Sequence, residues 1–213
     1  MSSTNFTVPR GVKKIDCFCV GGGGGVNSSN KNGGSSSIGS ICSANGGFGG
    51  SNTDCGFGGC NGGNGGSGGA GGFDFSLLDV IHTYEVGGFG GGSDGSDGQN
   101  PFICDRGDSK KIIKSFGGAG QHSTTRYFGE STGTLYSTGG GASTNGSFNS
   151  GNGCGGSKIA KRGFGYGGGG YTKTSLEQSV TPGSNIAVTI GSGGVSGKLS
   201  DGDSGIAIIR WGK

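Results

Sequence analysis

Residues 62–73 read GG-Asn-GG-Ser-GG-Ala-GG-Phe, two glycines in every triplet, and pieces of the same pattern recur at 45–51, 86–91 and 154–157. Three residues per turn is the period of the polyproline II helix, which rises about 3.1 Å per residue. In such a helix two faces of three would carry no side chain, so neighbouring backbones could approach closely there and cross-link through N–H···O=C bonds. Collagen shares the period but needs glycine only at every third position, with much proline besides. This chain has 59 Gly and 3 Pro and no sustained G-X-Y frame. The expectation is a single chain that packs many short glycine-rich extended helices against one another. The cost is large: glycine loses more backbone freedom on ordering than any other residue, and contributes no side chain to bury. The competing explanation is a flexible Gly/Ser linker.

The two ends argue against a linker. Leu, Ile, Val and Phe make up less than a fifth of the chain, close to the level of disordered sequences, but the net charge is only +3 and disorder also calls for high charge. The apolar residues are concentrated at the termini. Phe6, Val8, Val12, Ile15, Phe18 and Val20 crowd the start, which reads as a short strand, a Pro9–Gly11 turn and a second strand over 13–20. Ile186, Val188 and Ile190 alternate over 185–191, and residues 205–211 (GIAIIRW) read as a strand apolar on both faces, hence a central one. The segments 6–20 and 185–211 are expected to adjoin as a β-base that brackets a glycine array over 21–184, within one domain spanning 1–213. In the middle, 73–86 and 112–116 are apolar islands, and 124–137 (TTRYFGESTGTLYS) reads as a hairpin.

No basic segment followed by an apolar run opens the chain, and no apolar run approaches the ~20 residues of a membrane helix. Synthesis in the cytoplasm without membrane insertion is therefore expected. Seven cysteines, an odd number, point to reduced thiols. Cys17 and Cys19 would share one face of a strand as small hydrophobes.

Few residues offer chemistry. G-x-G-x-x-G matches follow from glycine abundance, and G-x-x-x-x-G-K-[ST] is absent. Residues 161–166 (KRGFGY) begin like an RNA-binding RNP1 octamer, but Gly167 and Gly169 stand where valine and the last aromatic belong. Cys55 and Cys60 have no C-x₂-C partner for zinc. Asp94, Asp97, Asp201 and Asp203 sit in acidic glycine-rich turns that could hold calcium, though Asp is favoured in tight turns for its own sake. His82 and His122 lie in unrelated contexts, without a nucleophile elbow or an HExxH helix. No catalytic residue and no cofactor are expected.

The ends carry a resemblance. Phe6-x-Val8-Pro9-x-Gly11-Val12-x-x-Ile15 and a glycine run at 21–25 open the pattern. Gly167 to Gly170 with Tyr171, Val180-Thr-Pro182-Gly183, Val188-x-Ile190-Gly191-x-Gly193-Gly194 and Ser204-Gly205-Ile206-x-Ile208-Ile209-x-Trp211 close it. This resembles the glycine-rich domain of phage and prophage tail proteins and bacterial surface proteins. It is similar also to the glycine-rich region of anaplastic lymphoma kinase-type receptors and to T-even-like tail-fibre adhesins. The resemblance implies a mainly β fold: a β-sandwich-like base, a bundle of polyglycine II helices, and little or no α-helix. It also implies a non-enzymatic tail-fibre or tail-tip protein of the virion, or a cell-surface protein. Its partner would be a host-surface glycan or protein receptor, alongside other tail-fibre proteins. Alternatives are a bacterial surface structural protein and a low-complexity Gly/aromatic RNA-associated protein, although a pI near 8.5 gives little attraction for phosphate. Recognition would reside in loops on the rigid scaffold, with Phe48, Phe57, Phe89, Phe148, Tyr127 and Phe128 as candidate receptor-binding aromatics. Equally, an aromatic in a GG-x triplet could simply cover the array.

Overall fold

The computed structural model describes residues 2–25, 31–50, 102–104, 112–114, 126–137, 167–196 and 201–212. These residues are mostly β-strand in antiparallel sheets, with a single 3₁₀ turn, Tyr127–Gly129, for helix. No helix among them is long and apolar enough to cross a membrane.

Strands β1 (Ser2–Thr7), β2 (Lys14–Val20), β3 (Ser36–Ile38), β4 (Cys42–Ala44), β5 (Phe102–Cys104), β6 (Ile112–Lys114), β7 (Thr172–Ser179), β8 (Asn185–Ile190) and β9 (Ile206–Arg210) follow in chain order. One sheet has the order β1-β8-β3-β4, a second β7-β2-β9, and β5 pairs with β6. The termini adjoin as expected: β1 lies beside β8, with Phe6 opposite Ile186, and β2 lies beside β9, with Phe18 opposite Ile208. The turn at Gly11, whose φ of 84° suits glycine, carries the chain from one sheet to the other, so β1 and β2 do not pair as a hairpin.

The two larger sheets pack face to face around Ile15, Cys17 and Cys19 of β2 and Ile38, Cys42, Ala44 and Val188 of the opposing sheet. Strand period 2 sends Phe18 and Val20 to the other face of β2. There they form a second core with Phe128, flanked by Tyr127, Tyr136, Ile206 and Ile208. Two features differ from expectation. β9 is an edge strand, and is apolar on both faces because Ala207 and Ile209 serve the first core while Ile206 and Ile208 serve the second. Residues 126–137 form no hairpin. Left-handed backbone at Phe128 (φ 58°) and Gly129 (φ 74°) breaks the extended run and turns Tyr127, Phe128 and Tyr136 together onto Phe18.

The glycine-rich segments are built onto these strands. Segments 21–25, 45–50 and 191–196 leave β2, β4 and β8, and segments 31–35, 167–171 and 201–205 lead into β3, β7 and β9. Residues 21–25 are all buried, and their consecutive N–H groups donate to three different neighbours in rotation. Gly21 donates to Tyr171 O, Gly22 to Gly34 O, Gly23 to Asp203 O, then Gly24 to Gly168 O and Gly25 to Lys31 O, at 2.6–3.0 Å. Two further segments donate back: Gly47 and Gly50 to Gly22 O and Gly25 O, and Gly194 to Gly23 O. Bonds between the outer segments repeat at the same spacing, as with Gly168 and Tyr171 to Phe48 O and Asn45 O, or Gly202 and Gly205 to Gly194 O and Gly191 O. Exposure repeats with them: Asn45 and Phe48, Ser192 and Val195, and Asn32 and Ser35 face solvent.

Candidate recognition surfaces

All six segments run from the sheets toward one end, so residues 25, 31, 50, 167, 196 and 201 mark the end of the array remote from the β-base. Phe48 (50% exposed) and Val195 (46%) flank that end, their carbonyls lying where side chains on Gly24 and Gly25 would stand. The Asn32 side-chain carbonyl accepts the Gly49 N–H at 2.9 Å, and the Asp201 carboxylate accepts the Ser196 N–H at 2.6 Å. Asp201 thus closes the approach of two segments, while the Asp203 carbonyl accepts the Gly23 N–H. Among the described residues no three metal-ligating side chains converge.

The expected receptor-binding aromatics separate accordingly. Phe48 is presented to solvent as the third residue of its triplet. Phe128 is not available to a partner: it is 4% exposed, packed 5.9 Å from Phe18 and covered by the Arg210 guanidinium 3.9 Å above its ring. Tyr127 is half-buried against Phe18, Phe128 and Tyr136. Phe57, Phe89, Phe148, Asp94 and Asp97 lie outside the described residues, as do Cys55, Cys60, His82, His122 and 161–166.

A second surface, at the opposite end of the β-base, was not foreseen. Residue pairing on β2 slips between Ile15 and Cys17, forming a bulge on β7, and Glu177 sits in it with a φ of 54°. The Asp16 carboxylate fixes the bulge by accepting the Glu177 N–H at 2.8 Å. Its other oxygen takes the Arg210 Nε at 3.0 Å, and Arg210 Nη1 reaches Glu130 beside the 3₁₀ turn. Lys14 Nζ meets Glu177 Oε2 at 2.8 Å in solvent; that hydrogen bond holds the ammonium above its ordinary pKa. Lys14, Asp16, Glu177, Arg210 and Trp211 line a groove of about 100 Å³. Trp211 is 45% exposed, its ring 5.4 Å from Phe6. Residues 130, 16 and 210 are far apart in sequence, so only the fold reveals the cluster.

Cys17, Cys19 and Cys42 are buried free thiols, as expected for the first two. Burial pushes the Cys17 pKa up to about 12. The hydrogen bond with Cys42, then burial, raises that of Cys19. Cys17 and Cys19 are core material, withdrawn from solvent and held as neutral groups, while the hydrogen bond from Cys19 lowers the Cys42 pKa to about 7.

Comparison with family models, with characterised proteins and with solved structures gives no match for this chain.

Proposed function

We propose that the six glycine-rich segments pack as polyglycine II helices, and that the chain is a non-enzymatic structural and adhesive module of a phage or prophage tail fibre. It would be made in the cytoplasm and carried in the virion, where it would present its array end to a host-surface glycan or protein. The observation that carries this is the recurrence, every third residue, of both inter-segment hydrogen bonds and solvent exposure. A helix with three residues per turn directs successive N–H groups 120° apart. Glycine is then required wherever a neighbour faces the Cα, and any residue is tolerated where solvent does. Such a bundle satisfies its buried backbone and places its connections at one end, where a rigid scaffold supports recognition.

The test is retention of the labelled protein on bacterial cells, with competition against adsorption of phages that infect the same strain. Saturable retention that blocks adsorption is expected. Salt-sensitive retention on RNA, with a slope corresponding to several neutralised phosphates, and no retention on cells would replace this proposal with the RNA-associated alternative.

A further inference from the structure

The groove beside Trp211 has the composition of a site for a neutral, hydroxyl-rich ring, and we propose that it binds one pyranose unit of a glycan. Four charged side chains line it, two cationic and two anionic, and each cation meets an anion of the lining: Arg210 meets Asp16 at 3.0 Å, as well as Glu130 outside the lining, and Lys14 meets Glu177 at 2.8 Å. The lining therefore has no net charge with which to attract an anion or a cation, yet it is dense in donors and acceptors. An ammonium carries three donors, a guanidinium five, and each carboxylate can accept several hydrogen bonds. Beside these groups the half-exposed indole of Trp211 supplies a rigid apolar surface, and contact with Phe6 limits its freedom.

A ligand that uses both parts must have an apolar face and a polar rim. A pyranose has C–H groups on its face and hydroxyls around its edge. Small sites of this kind combine an aromatic wall with a few fixed polar groups. Asp16, Arg210 and the Glu177 backbone are fixed before binding, because the β7 bulge, the Asp16 contact to the Glu177 N–H and the Arg210–Asp16 pair set their positions. A volume of about 100 Å³ admits one ring, partly inserted, and no more. The groove lies at the end of the base remote from the array, so sugar binding here is independent of receptor binding at the array end.

Trp211 is the one tryptophan of the chain, so its fluorescence reports on this groove directly. The full chain is titrated with free glucose, galactose, mannose and N-acetylglucosamine, with a thermal melt alongside. A saturable spectral change with at least one sugar, at a midpoint of roughly 1–10 mM, is expected for a single-ring site. Lys14→Met/Glu177→Gln, two exposed changes outside both cores, should weaken that sugar about fivefold or more with the melt unchanged, a loss of about 1 kcal/mol. Phe48→Ala should leave the titration untouched while still testing the array end for cell retention. The proposal is overturned by the absence of a saturable response to any of the four sugars up to about 100 mM. A response of unchanged midpoint in the double variant would overturn it as well.

Discussion

Two adjacent residues of one glycine-rich segment should differ sharply in what they tolerate. A Cβ added to Gly47 would lie on the carbonyls of Gly168 and Gly169, both backbone atoms that no side-chain rotation can move aside. Restoring ordinary van der Waals contact requires segment 167–171 to retreat by roughly 1 Å. That retreat stretches the bonds holding the two segments together, Gly168 N–H to Phe48 O at 3.0 Å and Tyr171 N–H to Asn45 O at 2.8 Å. A hydrogen bond contributes about 1 kcal/mol, and a buried polar group left unpaired costs about 1–3 kcal/mol, so Gly47→Ala should cost about 3–5 kcal/mol. Phe48 is half-exposed, and replacing it with Ala forfeits only part of the 1.5–3 kcal/mol that a buried large apolar side chain contributes, about 1 kcal/mol or less. For a chain of this length about 1 kcal/mol moves Tm by roughly 2–4 °C. The expected drops in a scanning calorimeter are therefore about 6–20 °C for Gly47→Ala and at most about 4 °C for Phe48→Ala. Equal drops would refute the proposition that Gly47 is required by close backbone approach. A control at Gly183, where φ is 80° and nothing lies within 4 Å of an added Cβ, isolates the conformational cost of alanine in left-handed backbone, about 1–2 kcal/mol.

Further expected outcomes concern the base. Phe128→Ala should cost about 3–5 kcal/mol, as for any large aromatic removed from a core, and a chemical-denaturation midpoint no lower than that of Phe48→Ala would contradict its placement under Arg210. Glu177→Gly should raise Tm, since glycine adopts left-handed backbone without the Cβ penalty and the Lys14 pair it gives up is largely in solvent; a lower Tm would mean that the side chain matters more than the bulge. The Cys17 thiol, 0% exposed and with its pKa raised from 9.0 to about 12, should resist alkylation until the chain unfolds. Because its unfolded thiol ionises first, stability should decline as pH rises from 9 toward 12; rapid labelling of the native thiol, or stability that rises across that window, would contradict its burial.

What the sequence revealed depended on whether an element is formed by its own pattern or by its neighbours. The terminal strands were legible because Ile186, Val188 and Ile190 alternate and because β2 carries apolar residues on both faces. β7 was not, because Thr172–Ser179 contains one apolar residue and is a strand only by pairing with β2. β3 and β4, three residues each with Ile38 their one large apolar side chain, are too short to show a period. The closing strand's double apolar face was legible, but its cause was not: a second core is supplied by residues 126–137, about eighty positions away. In the array the GG-x triplet identified positions with one face in solvent, such as Phe48. The innermost segment obeys a stricter rule, five successive glycines, because it has neighbours all round. The charged groove joins β2, β7 and β9, and no local pattern announces it.

The central claim is that backbone-to-backbone contact orders glycine here, and amide hydrogen exchange at residues 22–25 tests it most directly. Each of these N–H groups is bonded to a different segment or a different turn of one and is shielded from water. Their protection should therefore approach that of Cys17 to Val20 in β2 and be lost only with global unfolding. Exchange of Gly22, Gly23 and Gly24 at the rate of an unstructured glycine, while β2 remains protected, would contradict the claim and return these segments to the status of linkers.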